Sequence, residues 1–351
     1  MKEITVLSTA CGAMFMPGFF NCLKNNGERK IRIVGVDIVD NPFMGDLIDK
    51  YYKVPRYTDP SYIKTLIEIC KQEKIDIFFP HISMELPIVL ENIDCFNKIG
   101  VNVAITDNQT LNVANNKHKL YEHMSLIGLP VPEYYRISNS EDFLQYAKRL
   151  GFPDRNVVVK LTESSGSRGV RIVKHNLSRR DAFLFQKPNS LDISLEEMLL
   201  TLNECVPLPD TIVMEYLPGC EYTVDLLADH GKTLYIAGRR NLESSASIAM
   251  TSVTEKKDDA YDICKTIVST LCLDGNIGFD FMLDENDKPV LTDLNPRVTA
   301  TVVLFKFAGL NLPYLRVKQL LGEALPEIDI KYGIKMKRRY LEMFCDNGGA
   351  R

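Results

Sequence analysis

Short apolar runs alternate with amphipathic stretches over the first 110 residues. Ile4–Ser8, Ile31–Asp37, Ile75–Pro80 and Val101–Ile105 are too short for buried helices and read as strands. Between them, a segment through Leu23, then Ser61–Glu73 and Glu85–Phe96, repeat apolar residues at helical spacing. This alternation predicts a parallel sheet with helices on both faces. Ligands on such sheets bind beyond the carboxyl ends of the strands, where Cys11–Gly12, Asp37 and the loop His81–Glu85 fall. A G-x-G-x-x-G fingerprint is missing, so Gly12 and Gly18 are a weak basis for a dinucleotide site. Asp37 serves equally well as a turn or capping residue, and no motif places a histidine beside Cys11 to activate it.

Farther on, Leu111–Leu126 predicts a helix carrying Lys117 near its start and ending at Gly128, with Pro130 beyond. Val157–Val173 (VVVKLTESSGSRGVRIV) reads as strand, Ser/Gly/Arg loop and strand. His175–Pro209 is polar, with one helix over Leu195–Cys205 capped by Ser194. Ile212–Asp225 predicts a strand, a tight Pro–Gly turn flanked by Glu215 and Glu221, and a returning strand. Thr233–Arg240 is a strand leading Arg239 and Arg240 into a Ser-rich loop, and Asp258–Leu271 is a helix. Gly278–Arg297 (GFDFMLDENDKPVLTDLNPR) predicts a hairpin of Phe279–Leu283 and Pro289–Asp293 turning through Asp284–Lys288. A short apolar helix and Leu312–Leu321 complete the core, and residues from Asp346 read as a tail.

Composition narrows the class. At 351 residues the chain exceeds one ordinary core. A net charge of −4 with interspersed signs points away from nucleic acid and anionic membranes. No apolar stretch reaches bilayer length, and no signal-peptide pattern precedes Glu3–Ser8, so a cytoplasmic protein is expected. Nine scattered cysteines without a CxxC pair argue for reduced thiols over a disulfide framework or zinc site.

Candidate chemistry concentrates in two stretches. On the hairpin, Asp280 opposes the end of the second strand, where Asp293 and Asn295 share a face. Three hard oxygen donors suit Mg²⁺, and Arg297 at the same end can meet a phosphate bidentately. The same residues also read as a solvated, charged hairpin end. In the other stretch, consecutive backbone N–H groups of a Ser/Gly loop with Arg168 can cradle phosphates, or form a hairpin loop without a ligand. Lys160, ending a valine-dense strand, needs a partner.

Five motifs in this order resemble the ATP-grasp superfamily. These are the lysine of ANNKHKLYEHMSLIGLPVP, the strand and loop VVKLTESSGSRGV, EYLPGCEYTVD, the hairpin ending TDLNPR, and the N-terminal pieces GVD, KYYKVPRYTDPSYI and IDIFFPHISMEL. Within it the chain is similar to the branch of carboxylate–amine ligases resembling the carbamoyl-phosphate synthase large subunit. The resemblance implies an α/β, Rossmann-like pre-ATP-grasp domain over residues 1–110, followed by a two-subdomain α+β ATP-grasp fold. The small subdomain with its phosphate lid would cover 111–208, the large subdomain with the metal hairpin 209–345, and a tail 346–351. It implies that Lys117 and Lys160 reach ATP, that Ser165, Gly166, Ser167, Arg168 and Gly169 form a lid, and that Glu215, Tyr216 and Leu217 read adenine. Glu221 would bind ribose, and Asp280, Asp293 and Asn295 would hold two Mg²⁺ or Mn²⁺ ions. Both acids depart from the longer side chains usual at these positions, which shortens their reach.

The implied catalytic set is Arg297, Arg240 and Lys160. Glu85, Arg240 and Arg297, with the loops Cys11–Phe15, His81–Glu85 and Arg240–Ser247, would meet the substrate. The implied reaction joins a small carboxylate to an amine, or a thiol, through an acyl phosphate, on amino acids or related metabolites. Phosphorylation of carbamate or bicarbonate, or ATP binding without turnover, are the competing expectations. A homodimer would be ordinary for the class.

Overall fold

The computed structural model describes residues 1–351 except 46, 165, 188–189, 246–247, 344, 347–348 and 351. The expected parallel sheet is present, in the order Lys50–Lys53, Ile31–Asp37, Ile4–Ser8, Ile77–Phe79 and Asn102–Val103. Its three central strands are buried on both faces, as their near-continuous hydrophobicity requires. Ile4 and Val6 pack with the helix Met16–Lys24, whereas Leu7 faces Tyr62, Leu66 and Phe96 on the other side. The edge strand Lys50–Lys53 escaped the pattern because its residues are exposed or only half-buried. The strand order reverses between Ile4–Ser8 and Ile77–Phe79, so the loops after them flank a crevice.

A second sheet runs Tyr134–Ile137, Thr211–Glu215, Val157–Leu161, Val170–Lys174 and Asp192–Ser194. It packs on the helices Ser140–Arg149 and Leu195–Glu204. Ser194 caps the latter by accepting a hydrogen bond from Glu197 N at 3.2 Å. The third sheet is antiparallel, in the order Pro289–Asn295, Gly275–Leu283, Glu221–Asp229, Lys232–Ser245, Ile248–Thr254 and Lys335–Lys337. One face buries the helices Asp258–Thr270 and Lys117–Leu126. Among the described residues no helix is long and apolar enough to cross a membrane.

Four expectations need correction. The helix expected over Leu111–Leu126 is two, Asn108–Ala114 and Lys117–Leu126. Asn116 adopts an extended conformation between them, and its side chain accepts from Lys119 N at 3.1 Å, which starts the second helix at Lys117. The strands flanking Pro218–Gly219 do not pair with each other. Thr211–Glu215 belongs to the second sheet and Glu221–Asp229 to the third, so the turn is a crossing between sheets. A boundary at 208/209 therefore cuts the second sheet, and one at residue 110 cuts the helix Asn108–Ala114. The Ser-rich stretch is strand through Ser245 and again from Ile248, not a loop. Helix Glu85–Phe96 is also interrupted, at Asn92.

Candidate active site

The second and third sheets enclose a cleft of about 1130 Å³, closed at one end by Ser83 and Met84 of the N-terminal domain. Pro218–Gly219 carries the chain from one wall to the other. Gly219 N donates to Leu283 O at 2.9 Å, and a Cβ at Gly219 would lie 2.4 Å from that oxygen, so a side chain there would push the crossing off the hairpin. Just before it, Met214, Glu215, Tyr216 and Leu217 line the cleft. The Glu215 carboxylate turns back to accept from Glu133 N at 2.9 Å, leaving backbone to face the cavity.

On the small-sheet wall, Lys160 pairs in register with Ile212 and Val170, and its side chain enters the cleft. Among the described residues its ammonium has no hydrogen-bond or ion-pair partner. Burial, with Lys117 nearby, outweighs the pull of Asp293 and Asp280 and brings it down to about 8. Lys117 starts its helix beside the same strand, with its N–H bonded to Thr162 O at 3.0 Å. Its Nζ donates to Ser164 O at 3.1 Å and lies 3.5 Å from Asp293 Oδ2. One lysine thus ties the loop of one sheet to the hairpin of the other.

In that loop Gly166, Ser167 and Gly169 have φ of 65°, 54° and 66°. Successive left-handed residues turn N–H groups toward one side. At Gly169 a Cβ would lie 2.5 Å from the Leu161 side chain, so only glycine fits. Gly166, Ser167, Arg168 and Gly169 line the cleft, whereas Ser165 and Ser247 lie outside the described residues.

The large-sheet wall carries the hairpin. Asp280 pairs with Asp293 and Gly278 with Asn295, and a bulge leaves Thr292 as the extra residue, its hydroxyl donating to Asp280 O at 3.0 Å. Asp280 accepts from Thr223 Oγ1 at 2.9 Å and from Asn295 Nδ2 at 2.8 Å. Burial, then the charges of Glu221 and Asp293, push Asp280 up to about 7. Asp280 and Asp293 set two like charges side by side, and the donors are all oxygens of carboxylate or amide. Asp280, Asp293 and Asn295 therefore fit a hard divalent cation. Arg297 is held by Ser83 Oγ at 3.0 Å, Val298 O at 3.2 Å and Asn295 Oδ1 at 3.2 Å, with no carboxylate among these partners.

Two expected substrate residues lie elsewhere. Arg240 points to the opposite face of its strand from the cleft-lining Arg239. It is clasped by both oxygens of Glu255 at 2.7 Å and by Asp287 at 3.0 Å. Arg240→Ala is expected to cost about 1 kcal/mol of stability, read in a denaturant titration, and to leave turnover unchanged. Glu85 is fully buried outside the cleft lining. It accepts from Thr9 Oγ1 and Tyr62 OH, both at 2.6 Å, and from His81 N at 2.8 Å and Ile82 N at 3.0 Å. This carboxylate knots the loop that delivers Ser83. Glu85→Gln, which puts a donor among these donors, is expected to cost about 1–3 kcal/mol in the same measurement. Cys11 and Gly12 are also outside the cleft lining. Burial raises the Cys11 thiol to about 12, and Gly12 N donates to Asp37 at 2.8 Å, which makes Asp37 a turn residue.

Sequence reasoning overlooked Val158, Met214 and Met282, which give the cleft its apolar side. Period-two alternation was the available signal, since Val158 and Met282 stand two residues from Lys160 and Asp280. Arg239, buried against Asp225, was given no role because its partner lies on another strand, whereas Ser83 and Met84 bring the loop His81–Glu85 to the cleft as expected.

A family model described as ATP-grasp in the biosynthetic pathway with Ter operon matches residues 207–339, and one described as the PylC-like N-terminal domain matches 18–104. Together with the relatives below, these matches support the ATP-grasp superfamily. The carbamoyl phosphate synthase large chain of Thermoplasma acidophilum is 24% identical over 286 residues, which are 78% of this chain and 26% of that protein. This chain thus spans about a quarter of the length of the curated relatives it matches. Among solved structures, an ADP complex of N5-carboxyaminoimidazole ribonucleotide synthetase superposes with a TM-score of 0.66 at 17% identity, covering 94% of this chain and 79% of the other. An L-amino acid ligase from Bacillus licheniformis gives 0.62 at 13% identity, covering 92% and 74%.

Proposed function

We propose that this ATP-grasp protein is an ATP-dependent ligase that joins a small carboxylate to an amine through an acyl phosphate, releasing ADP and phosphate. One observation carries the reading. Lys117 and Lys160 face Asp280, Asp293, Asn295 and Arg297 across one cleft whose apolar end adjoins the Glu215–Leu217 backbone. ATP fits with adenine against Met214 and Leu217, ribose near Glu221, and phosphates under the Gly166–Gly169 loop. Magnesium or manganese at Asp280, Asp293 and Asn295 would neutralise the phosphate oxygens during in-line transfer. Lys160 and Lys117 hold the phosphates, and Arg297, whose hydrogen-bond partners among the described residues include no carboxylate, orients the acceptor carboxylate and stabilises the charge that develops on it. The loop covering the phosphates excludes water that would hydrolyse the acyl phosphate.

The test is a nucleotide-product assay with Mg-ATP, with and without pooled amino acids. ADP that appears only with the pool supports the ligase reading, and subdividing the pool finds the pair. AMP as product would overturn the mechanism. The similarity to carbamoyl phosphate synthase favours one second reading, phosphorylation of bicarbonate or carbamate. ADP formed with bicarbonate alone would select it.

A further inference from the structure

Asp280 accepts two hydrogen bonds whose direction is set by residues farther away. In the third sheet Thr223 stands in register with Arg239 on one side and with Asp280 on the other, and Asn241 stands opposite Ser252. Arg239, Asn241 and Asp280 line the cleft, so these side chains share the sheet face that looks into it. Thr223 and Ser252 are fully buried behind them. Arg239 is anchored by buried Asp225 and lies over the Phe305 ring, 5.7 Å from its centroid, which fixes where its Nε points.

That Nε donates to Asn241 Oδ1 at 3.2 Å, and Ser252 Oγ donates to the same oxygen at 2.9 Å. A guanidinium only donates, so the amide atom facing it must be the oxygen. Asn241 Nδ2 is thereby turned to Thr223 and donates to its Oγ1 at 3.2 Å. A hydroxyl carries one proton, and with Asn241 donating to it Thr223 gives that proton to Asp280 Oδ1 at 2.9 Å. The second oxygen is set in the same way. Arg297 Nη2 donates to Asn295 Oδ1 at 3.2 Å, which leaves Asn295 Nδ2 to donate to Asp280 Oδ2 at 2.8 Å. Each carboxylate oxygen has room for a second partner, so both stay open to a cation.

We infer that Thr223 is a positioning residue for the metal site, locked by Asn241 and Arg239 as a donor to Asp280, so that this carboxylate is held in the orientation that meets a divalent cation. This rests on the metal assignment within the ligase reading. Partners behind a metal ligand orient it before the ion arrives, and losing one weakens metal affinity by about ten- to a hundredfold.

The experiment titrates Mn²⁺ alone into the full metal-free chain at one pH, followed by electron spin resonance. Thr223→Val keeps the β-branched shape without the hydroxyl and is expected to raise the Mn²⁺ Kd about tenfold or more. Thr223→Ser restores the donor and should bring Kd back to within about threefold of the unmodified protein. Asn241→Asp reverses the chain of donors. It offers Thr223 only an acceptor, so the hydroxyl proton turns away from Asp280, and Kd should again rise about tenfold. A site governed by net charge alone would instead bind Mn²⁺ more tightly after that substitution. In the ADP-product assay Thr223→Val should raise KM for the metal while kcat at saturating metal stays near the unmodified value. An unchanged Kd in folded Thr223→Val, or an unchanged or lower Kd in Asn241→Asp, overturns the role of Thr223 and leaves the metal assignment intact. If Thr223→Val does not fold, Asn241→Asp decides. No Mn²⁺ binding by the unmodified protein would overturn the metal assignment, and the positioning role with it.

Discussion

Asp293→Asn is expected to lower ATP-dependent turnover by about a hundred- to a thousandfold, the scale of losing one charge-stabilising group at a reacting centre. Asp293 serves both walls, since its carboxylate is the counter-charge of buried Lys117 at 3.5 Å and a donor of the proposed metal set. Asparagine preserves the volume and one oxygen, so the loss isolates charge from packing. A pH signature accompanies it. Asp280 is held near 7 by burial, Glu221 and Asp293, so below that pH a proton competes with the metal. Metal affinity of the unmodified protein should then fall up to about tenfold per pH unit below 7. Removing the Asp293 charge removes one like-charged neighbour, and the onset of that fall should move to lower pH. Linkage gives the sign for stability. The folded state binds the Asp280 proton more tightly than the unfolded chain, so this group makes the metal-free protein less stable as pH rises from the ordinary carboxylate range to about 7. Manganese titrations by electron spin resonance across that range check the affinity, and denaturant titrations of the metal-free protein check the stability. Turnover at the unmodified level in Asp293→Asn would sink the metal assignment.

Lys160→Met is expected to weaken ATP binding by about ten- to a hundredfold while leaving the melting temperature unchanged or raised. The opposite signs follow from one observation. Burial is the leading influence on Lys160, lowering it to about 8, and its ammonium has no hydrogen-bond or ion-pair partner among the described residues. A half-buried charge without a hydrogen-bonded partner burdens the ligand-free fold, and methionine supplies a similar stem without it. Phosphate oxygens would provide the missing acceptors. The linkage is that of a depressed lysine: its contribution raises stability as pH climbs from about 8 toward the unfolded lysine value. Calorimetric ATP titration and a thermal melt on the same sample test the pair. A large fall in melting temperature with unchanged ATP affinity would make Lys160 structural.

The hydrophobic pattern alone determined most elements of this chain. Ile4–Ser8 and Ile31–Asp37 coincide with their observed bounds, and the Asp280–Asp293 pairing follows from the hairpin's alternation. These features are local, because a strand's period and a turn's chemistry are written in neighbouring residues. The edge strand Lys50–Lys53 and the break at Asn115–Asn116 were less legible, since one lacks a buried face and the other hides a cap inside a helical pattern. Tertiary structure decided the rest. The motif on either side of Pro218–Gly219 looks like a hairpin until Val157–Leu161 and Gly275–Leu283 compete for its two strands and separate them into different sheets. Adjacent Arg239 and Arg240 must face opposite sides of their strand, but sequence does not say which side is the cleft. That depends on where the second sheet lies, on Glu255 and Asp287 gathering Arg240, and on Asp225 gathering Arg239. Periodicity assigns residues to faces, and only long-range packing assigns a face to solvent, to the core or to a ligand.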